Sequence, residues 1–502
     1  MIASSHIRTS LVLVALSTFS PTASITAFSS KYTAFHNAKH KLHKQQRTIF
    51  YSSEYDTAET LPSFETKEEY LDYLSERSSL PKGFAIGTGA GEFIPEEAPM
   101  MGKLSIRATV IHLKDGPTNN WAAVFTKNKC PGSPIIVGRS RLASGTPIHA
   151  LVINNKVSNV CSGGDGVANA NHVCKAVADA LDLPLGYESV LPSSTGVIGW
   201  RLPATELANE VVPTAIETLQ TSSGLDAAKA IMTTDRYPKL RSKTLTNGAR
   251  ILGIAKGAGM IEPNMATMLS YIMTDASVDK KTLQNLLNEV VDQSFNSISV
   301  DGSESTSDTV VLISSNQGTD DDGTDLDEFK NALFEVARGL AADLVRNGEG
   351  TGHVMRIQIE NFPGSDSDAR LLGRFIANNA LFKCAIAGND PNVGRLAGAI
   401  GSFMGRFGDG ESKATGKMTL TFGGRVVFTE GKFNLEGEEF ERAISDHMKD
   451  TQLGEVDEFP KHQKYVEISV DFGSAEGGKG AATVIGSDLT AEYVSVNADY
   501  RS

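Results

Sequence analysis

The chain is poor in cysteine, in positive charge and in long apolar runs. Only Cys130, Cys161, Cys174 and Cys384 occur among its 502 residues. They are widely spaced, with no C-x-x-C pair, which argues against a disulfide scaffold or a zinc ribbon; they read as buried thiols of a reducing compartment. A net charge of −13 argues against nucleic acid as the partner, because binding phosphate needs a basic surface. No glycine-rich stretch ends in Gly-Lys-Ser/Thr after a four-residue spacer, so a P-loop is absent. The acidic stretch GTDDDGTDLDEF at 318–329 lacks a calcium register: with Gly323 as the turn glycine, the bidentate carboxylate position falls on Phe329. It reads as a solvated loop and a helix N-terminus, and no metal is expected. No internal repeat is evident.

Acid is missing altogether from the first fifty-three residues, where Arg8, Lys31, Lys39, Lys41, Lys44 and Arg47 stand among serines, threonines and histidines. That is the chemistry of an organelle-targeting presequence. Its apolar run LVLVAL at 11–16 is too short to cross a bilayer but adequate as a signal core. Small residues then run up to Ala27 and Phe28, a layout that resembles presequences for plastids bounded by extra membranes. A mitochondrial presequence is the alternative. Residues 54–79 read as a linker containing a short amphipathic helix, SFETKEEYLDYLSER at 63–77.

Composition agrees with a soluble enzyme. With 40% hydrophobic and 21% charged residues, the chain can bury a large core or two to three domains. LSIRATVIHL at 104–113 alternates as a strand does. Asp279 caps a helix whose apolar face is Leu283, Leu286, Leu287, Val290, Val291 and Phe295. A second helix spans Leu326 to Arg346 and stops at Asn347-Gly348. Strands flanking such helices give a layered α/β class.

The most informative stretch is KGAGMIEPNMATML at 256–269. A glycine-flexed loop and Pro263 lead to Thr267 at the mouth of a strand, in which Leu269, Tyr271 and Met273 face one way and Met268, Ser270 and Ile272 the other. A threonine hydroxyl is a weak nucleophile that needs a base. Cutting the Ala266–Thr267 bond supplies one, an α-amine of pKa roughly 7.7 to 8.0.

This segment resembles the self-cleavage site of the ornithine acetyltransferase family, the bifunctional glutamate N-acetyltransferases of arginine biosynthesis. The resemblance covers roughly residues 80–502. LPSSTGVIGWRLP at 191–203, MTTD at 232–235, SFNSISVDGSESTSDT, NGEGTGHV, FKCAIAGNDPNVGRLAGAIG and the terminal DLTAEYVSVNADYRS come in the family's order. The resemblance implies a layered α/β fold of two domains, similar to N-terminal-nucleophile hydrolases and self-cleaved into an α chain (80–266) and a β chain (267–502) that assemble as α2β2. It implies Thr267 as nucleophile, Thr195 and Gly196 as oxyanion donors, and Thr233, Lys256, Thr267, Glu349, Asn497 and Ser502 as substrate-binding residues. The reaction it implies moves acetyl from N-acetylornithine to glutamate without a required cofactor, acetyl-CoA being a further donor in bifunctional members. Alternation of Tyr493, Val494 and Val496 predicts a strand that returns the C-terminus to the pocket.

Some positions depart from the family's pattern. NNKVSNVCSG stands at 154–163 where the family reads NSGNANACTG, the 91–106 segment lacks the usual Lys-rich and Asp-Leu-Ala pattern, and Ser487 replaces a frequent cysteine. These changes spare the nucleophile and the oxyanion positions and bear on pocket shape and acetyl-CoA use. A related self-cleaving aminopeptidase and a non-catalytic binding protein derived from the family are the rival readings; only the transferase needs glutamate to release ornithine.

Overall fold

Alternation along the strand Leu269–Thr274 decides how the molecule is layered, because all six of its residues are buried. In the computed structural model, described for residues 61–262, 268–318, 323–407, 414–434, 437–454, 458–473 and 479–499, Leu269, Tyr271 and Met273 enter one apolar core. Met268 and Ile272 enter another. A strand buried on both faces must lie in an inner layer.

The described strands form three sheets. The first has four strands in the spatial order Phe84–Phe93, Leu104–Leu113, Ala150–Asn154, Val190–Ser194. The second has five, in the order Trp121–Phe125, Thr309–Ser314, Leu269–Thr274, Arg250–Lys256, Lys239–Thr244. Ile86, Ile111, Leu151 and Leu191 of the first share a core with Leu252, Ile254, Tyr271 and Val311 of the second, so the two sheets pack face to face. Helices cover both outer faces. Gly166–Ala180 and the segments around Val211 and Ala215 pack on the first sheet, and Lys280–Gln293 and Leu326–Arg346 pack on the second. The result is a helix–sheet–sheet–helix sandwich.

Caps set where these helices begin. The Asp279 carboxylate accepts the N–H groups of Lys281 and Thr282 at 2.9 and 3.1 Å, and Asp325 does the same for Asp327 and Glu328. Such caps are typically worth about 1 kcal/mol. The larger stabilisation comes from Leu283, Leu287, Val290 and Val291, all buried, at roughly 1.5–3 kcal/mol for each large side chain.

The third sheet centres on Val354–Phe362, between Val466–Asp471 and Gly480–Ser487. It carries its own apolar core with helices Asp366–Ala377 and Glu438–Asp450. The layered α/β class is therefore as expected, and Asp56–Ser502 forms one compact unit. Residues 1–53, the start of the 54–79 linker, the Ala266–Thr267 pair and Ser502 lie outside the described residues. Within the linker, Lys67–Glu76 is helical, capped by Thr66.

Two expectations need correction. Of the four cysteines only Cys174 is buried; Cys130, Cys161 and Cys384 are exposed. Cys161 sits in a loop with a left-handed φ of 49°, and Cys384 lies on the outer face of the Ala380–Ala387 helix. The C-terminal strand is instead a helix, Ala491–Asp499. The Thr490 hydroxyl accepts the Tyr493 N–H at 3.2 Å, an N-cap that nucleates helix, and Val494 is exposed. The alternation therefore buries no strand face.

Candidate active site

The site forms where the two packed sheets end side by side. In the first sheet, Val190–Ser194 runs directly into Thr195 and Gly196. The turn opposite is shaped by Asn154, whose amide donates to the carbonyls of Asn155 and Val157 and whose Oδ1 accepts from Ser194 at 2.6 Å. Asn154 is among the residues of the atypical 154–163 segment, so that segment builds this turn. Gly196 has a φ of 126°, and a Cβ there would collide with the Lys156 carbonyl. Its N–H has no acceptor among the described residues.

In the second sheet Lys256 ends its strand paired with Leu269. It is buried at 2% exposure, and its Nζ donates to Thr195 Oγ1 at 2.8 Å. Because that oxygen is already an acceptor, the Thr195 hydroxyl hydrogen is free to point elsewhere, and the charged donor strengthens it in turn. Thr195 O–H and Gly196 N–H are thus two donors suited to a developing oxyanion. Gly196→Ala is expected to lower kcat by about a hundred-fold or more, measured in steady state beside a melting curve. A folded variant with normal kcat would remove Gly196 from the site.

Burial lowers the pKa of the Lys256 amine, opposed by Asp235 and, more weakly, by Asp308 and Glu349. Burial alone would raise the Asp235 carboxyl, but Lys239, Lys256 and the Gly257 N–H together hold it down at about 2. At Asp308 burial prevails and pushes the carboxyl well above the usual range, against the Met268 N–H and the Thr126 hydroxyl. Asp308 Oδ1 accepts the Met268 N–H at 2.9 Å, which anchors the start of the Leu269–Thr274 strand.

The remaining expected binding residues come from three separate segments. Thr233 donates its N–H to Asp235 Oδ2 at 3.0 Å. Glu349 donates its N–H to Ala258 and lays its carboxylate against Gly259, where any Cβ would strike it. Asn497 Nδ2 donates to Glu349 Oε2 at 3.1 Å, so the C-terminal helix does reach this edge, as a helix rather than a strand. The structure thus joins Lys256 to Thr195, and Glu349 to Asn497.

Sequence reasoning missed Asp235, Asp301, Asp308 and Asn347, although each lies inside one of the family motifs. Asp301 accepts the N–H groups of Met260 and Ile261 at 2.7 and 3.0 Å and holds Met260 at a left-handed φ of 57°, a conformation that costs roughly 1–3 kcal/mol outside glycine. Backbone strain is therefore stored a few residues before the expected cleavage position.

A profile of the ArgJ family matches residues 103–502. The chain belongs to the ArgJ family. The arginine biosynthesis bifunctional protein ArgJ of Nitratidesulfovibrio vulgaris is 35% identical over 429 residues, covering 85% of this chain and 100% of its own length. That of Agrobacterium fabrum is 36% identical over 392 residues, 76% of this chain and 88% of its own. A crystal structure of the argJ protein from Bacillus halodurans is 31% identical across 47% of this chain and 100% of its own, with a TM-score of 0.39. The resemblance read from the motifs is borne out by the family match and the two relatives.

Proposed function

We infer that this ArgJ-family protein is a glutamate N-acetyltransferase of arginine biosynthesis, moving acetyl from N-acetylornithine to glutamate through an ester on Thr267. The observation that carries the reading is the Lys256–Thr195 hydrogen bond beside a Gly196 N–H without an acceptor among the described residues, two donors at the end of the sheets where the strand after position 267 begins. Thr267 Oγ attacks the acetyl carbonyl carbon while the Thr267 α-amine takes its proton. The carbonyl oxygen becomes an oxyanion held by Thr195 and Gly196, the amide C–N bond breaks, and ornithine leaves with that proton. The glutamate amine then attacks the ester, giving N-acetylglutamate and restoring the hydroxyl.

The α-amine arises by self-cleavage. Thr267 Oγ attacks the Ala266 carbonyl carbon, an N-to-O shift gives an ester, and water splits it into α and β chains. The geometry around Met260 and Asp301 supports a loop able to strain toward that attack. An α2β2 assembly is proposed on the family reading. No cofactor is required by this route. Acetyl-CoA serves as an additional donor on the same acyl-enzyme logic, since a thioester acylates a hydroxyl more readily than an amide does. The acid-free segment 1–53 supports import into an organelle, mitochondrion or plastid.

Ornithine release from N-acetylornithine, followed with and without glutamate, tests the reading. Release that depends on glutamate and yields equimolar N-acetylglutamate is the expected result; equal release without glutamate identifies a hydrolase. Thr195→Ala is expected to lower kcat by about a hundred-fold with little change in KM, because its donor acts on charge present only in the transition state. A variant that mainly raises KM assigns Thr195 to substrate binding.

A further inference from the structure

Asp235 and its partner Lys239 together touch the segments that carry three of the binding residues. Its side chain is sealed from solvent. Oδ1 accepts from Lys239 Nζ at 2.5 Å and from the Gly257 N–H at 2.8 Å, while Oδ2 accepts the Thr233 N–H at 3.0 Å. Lys239, equally buried, donates onward to Asn347 Oδ1 at 2.5 Å. Asn347 caps the Leu326–Arg346 helix two positions before Glu349, and Gly257 comes directly after Lys256.

We propose that Asp235 and Lys239 are positioning residues that set the spacing of the acetyl-donor pocket, holding Thr233 directly, Lys256 through Gly257, and Glu349 through Asn347. The proposal rests on reading those three as binding residues. Its physical basis is that the three segments are far apart in sequence and need a common reference. A buried ion pair is weak evidence of stabilisation, since apolar residues of similar volume often serve as well. Apolar residues, however, accept no N–H and anchor no amide. A carboxylate with two oxygens and an ammonium with three hydrogens hold three segments in one arrangement, and errors of about 1 Å in such an arrangement can cost a hundred-fold in rate.

The test uses the full self-processed enzyme, with steady-state transfer from N-acetylornithine to glutamate measured across pH for the wild type, Asp235→Asn and Asn347→Ala. Asp235→Asn keeps an oxygen acceptor but loses the charge. It is expected to lower kcat/KM about a hundred-fold and to move the alkaline limb of the profile about one unit lower. The Lys256 amine then faces Lys239 with only the weaker Glu349 and the burial-raised Asp308 carboxyl to oppose it, which makes its proton easier to lose. Asn347→Ala leaves the ion pair intact and is expected to raise KM for N-acetylornithine about ten-fold, with kcat within about two-fold. Loss of melting temperature without these kinetic changes would mean a purely structural pair and overturns the proposal. If Asp235→Asn does not fold, an unchanged KM in Asn347→Ala overturns it alone. A wild type that transfers no acetyl to glutamate refutes instead the functional reading beneath it.

Discussion

Thr267→Ala is expected to remain one uncut chain with no measurable acetyl transfer, a loss of at least about ten-thousand-fold for a missing nucleophile. The backbone beside that position is built for constancy: Met268 is buried, its N–H is held by Asp308 and its carbonyl by the Thr309 N–H. Leu269 pairs with Lys256, whose amine reaches Thr195. On the proposed mechanism, the nucleophile is to work with Thr195 and Gly196 of the neighbouring sheet as its oxyanion donors. A denaturing gel of the variant beside wild type reads the cleavage, and ornithine release reads the transfer. Cleavage that persists in Thr267→Ala would sink the mechanism, and Thr267→Ser is expected to keep part of both activities.

Deleting residues 497–502 is expected to leave cleavage intact and to reduce transfer about a thousand-fold. A hydrogen bond to a charged group is lost, from Asn497 to Glu349, at roughly 1.5–3 kcal/mol, together with the substrate contact that the family resemblance implies for Ser502. The truncation is clean because the helix is anchored upstream of the cut. Thr490 Oγ1 donates to the Gly350 carbonyl at 2.6 Å, and Glu492 pairs with Arg236 at 2.8 Å. Unchanged kinetic constants in the cleaved, truncated enzyme would show that Asn497 and Ser502 play no part.

Local signals were readable where local chemistry decides the outcome. The helices after Asp279 and Asp325 begin where a short carboxylate can cap free N–H groups, and the strand read at 104–113 has those bounds, although Ala108 to Ile111 are buried on both faces. The C-terminal alternation misled because Thr490 offers a cap, and among the described residues nothing lies across Val494 to pair with a strand. Thr195, Lys256 and Glu349 were found by motif alone; no periodicity ties position 195 to 256. Asp235 and Asn347 escaped because their value lies in partners more than twenty and more than one hundred positions away, which no sequence window spans. Three of the cysteines proved exposed because thiol burial depends on which face of a loop or helix turns inward, and tertiary packing sets that.

Under the proposed self-cleavage, the order of the second sheet bears on how the two chains would be made. Thr309–Ser314 and Leu269–Thr274 belong to the 267–502 half, and each is zipped to a strand of the 80–266 half, Trp121–Phe125 on one side and Arg250–Lys256 on the other. Neither half owns a complete inner layer. Translated as separate polypeptides, each would offer raw strand edges and an uncovered apolar face, the usual seed of aggregation. A single precursor that folds first and is severed afterwards avoids this, because the ladder is already closed before a second N-terminus exists. The halves of the mature protein should accordingly be inseparable without denaturant and unable to reassemble efficiently once parted.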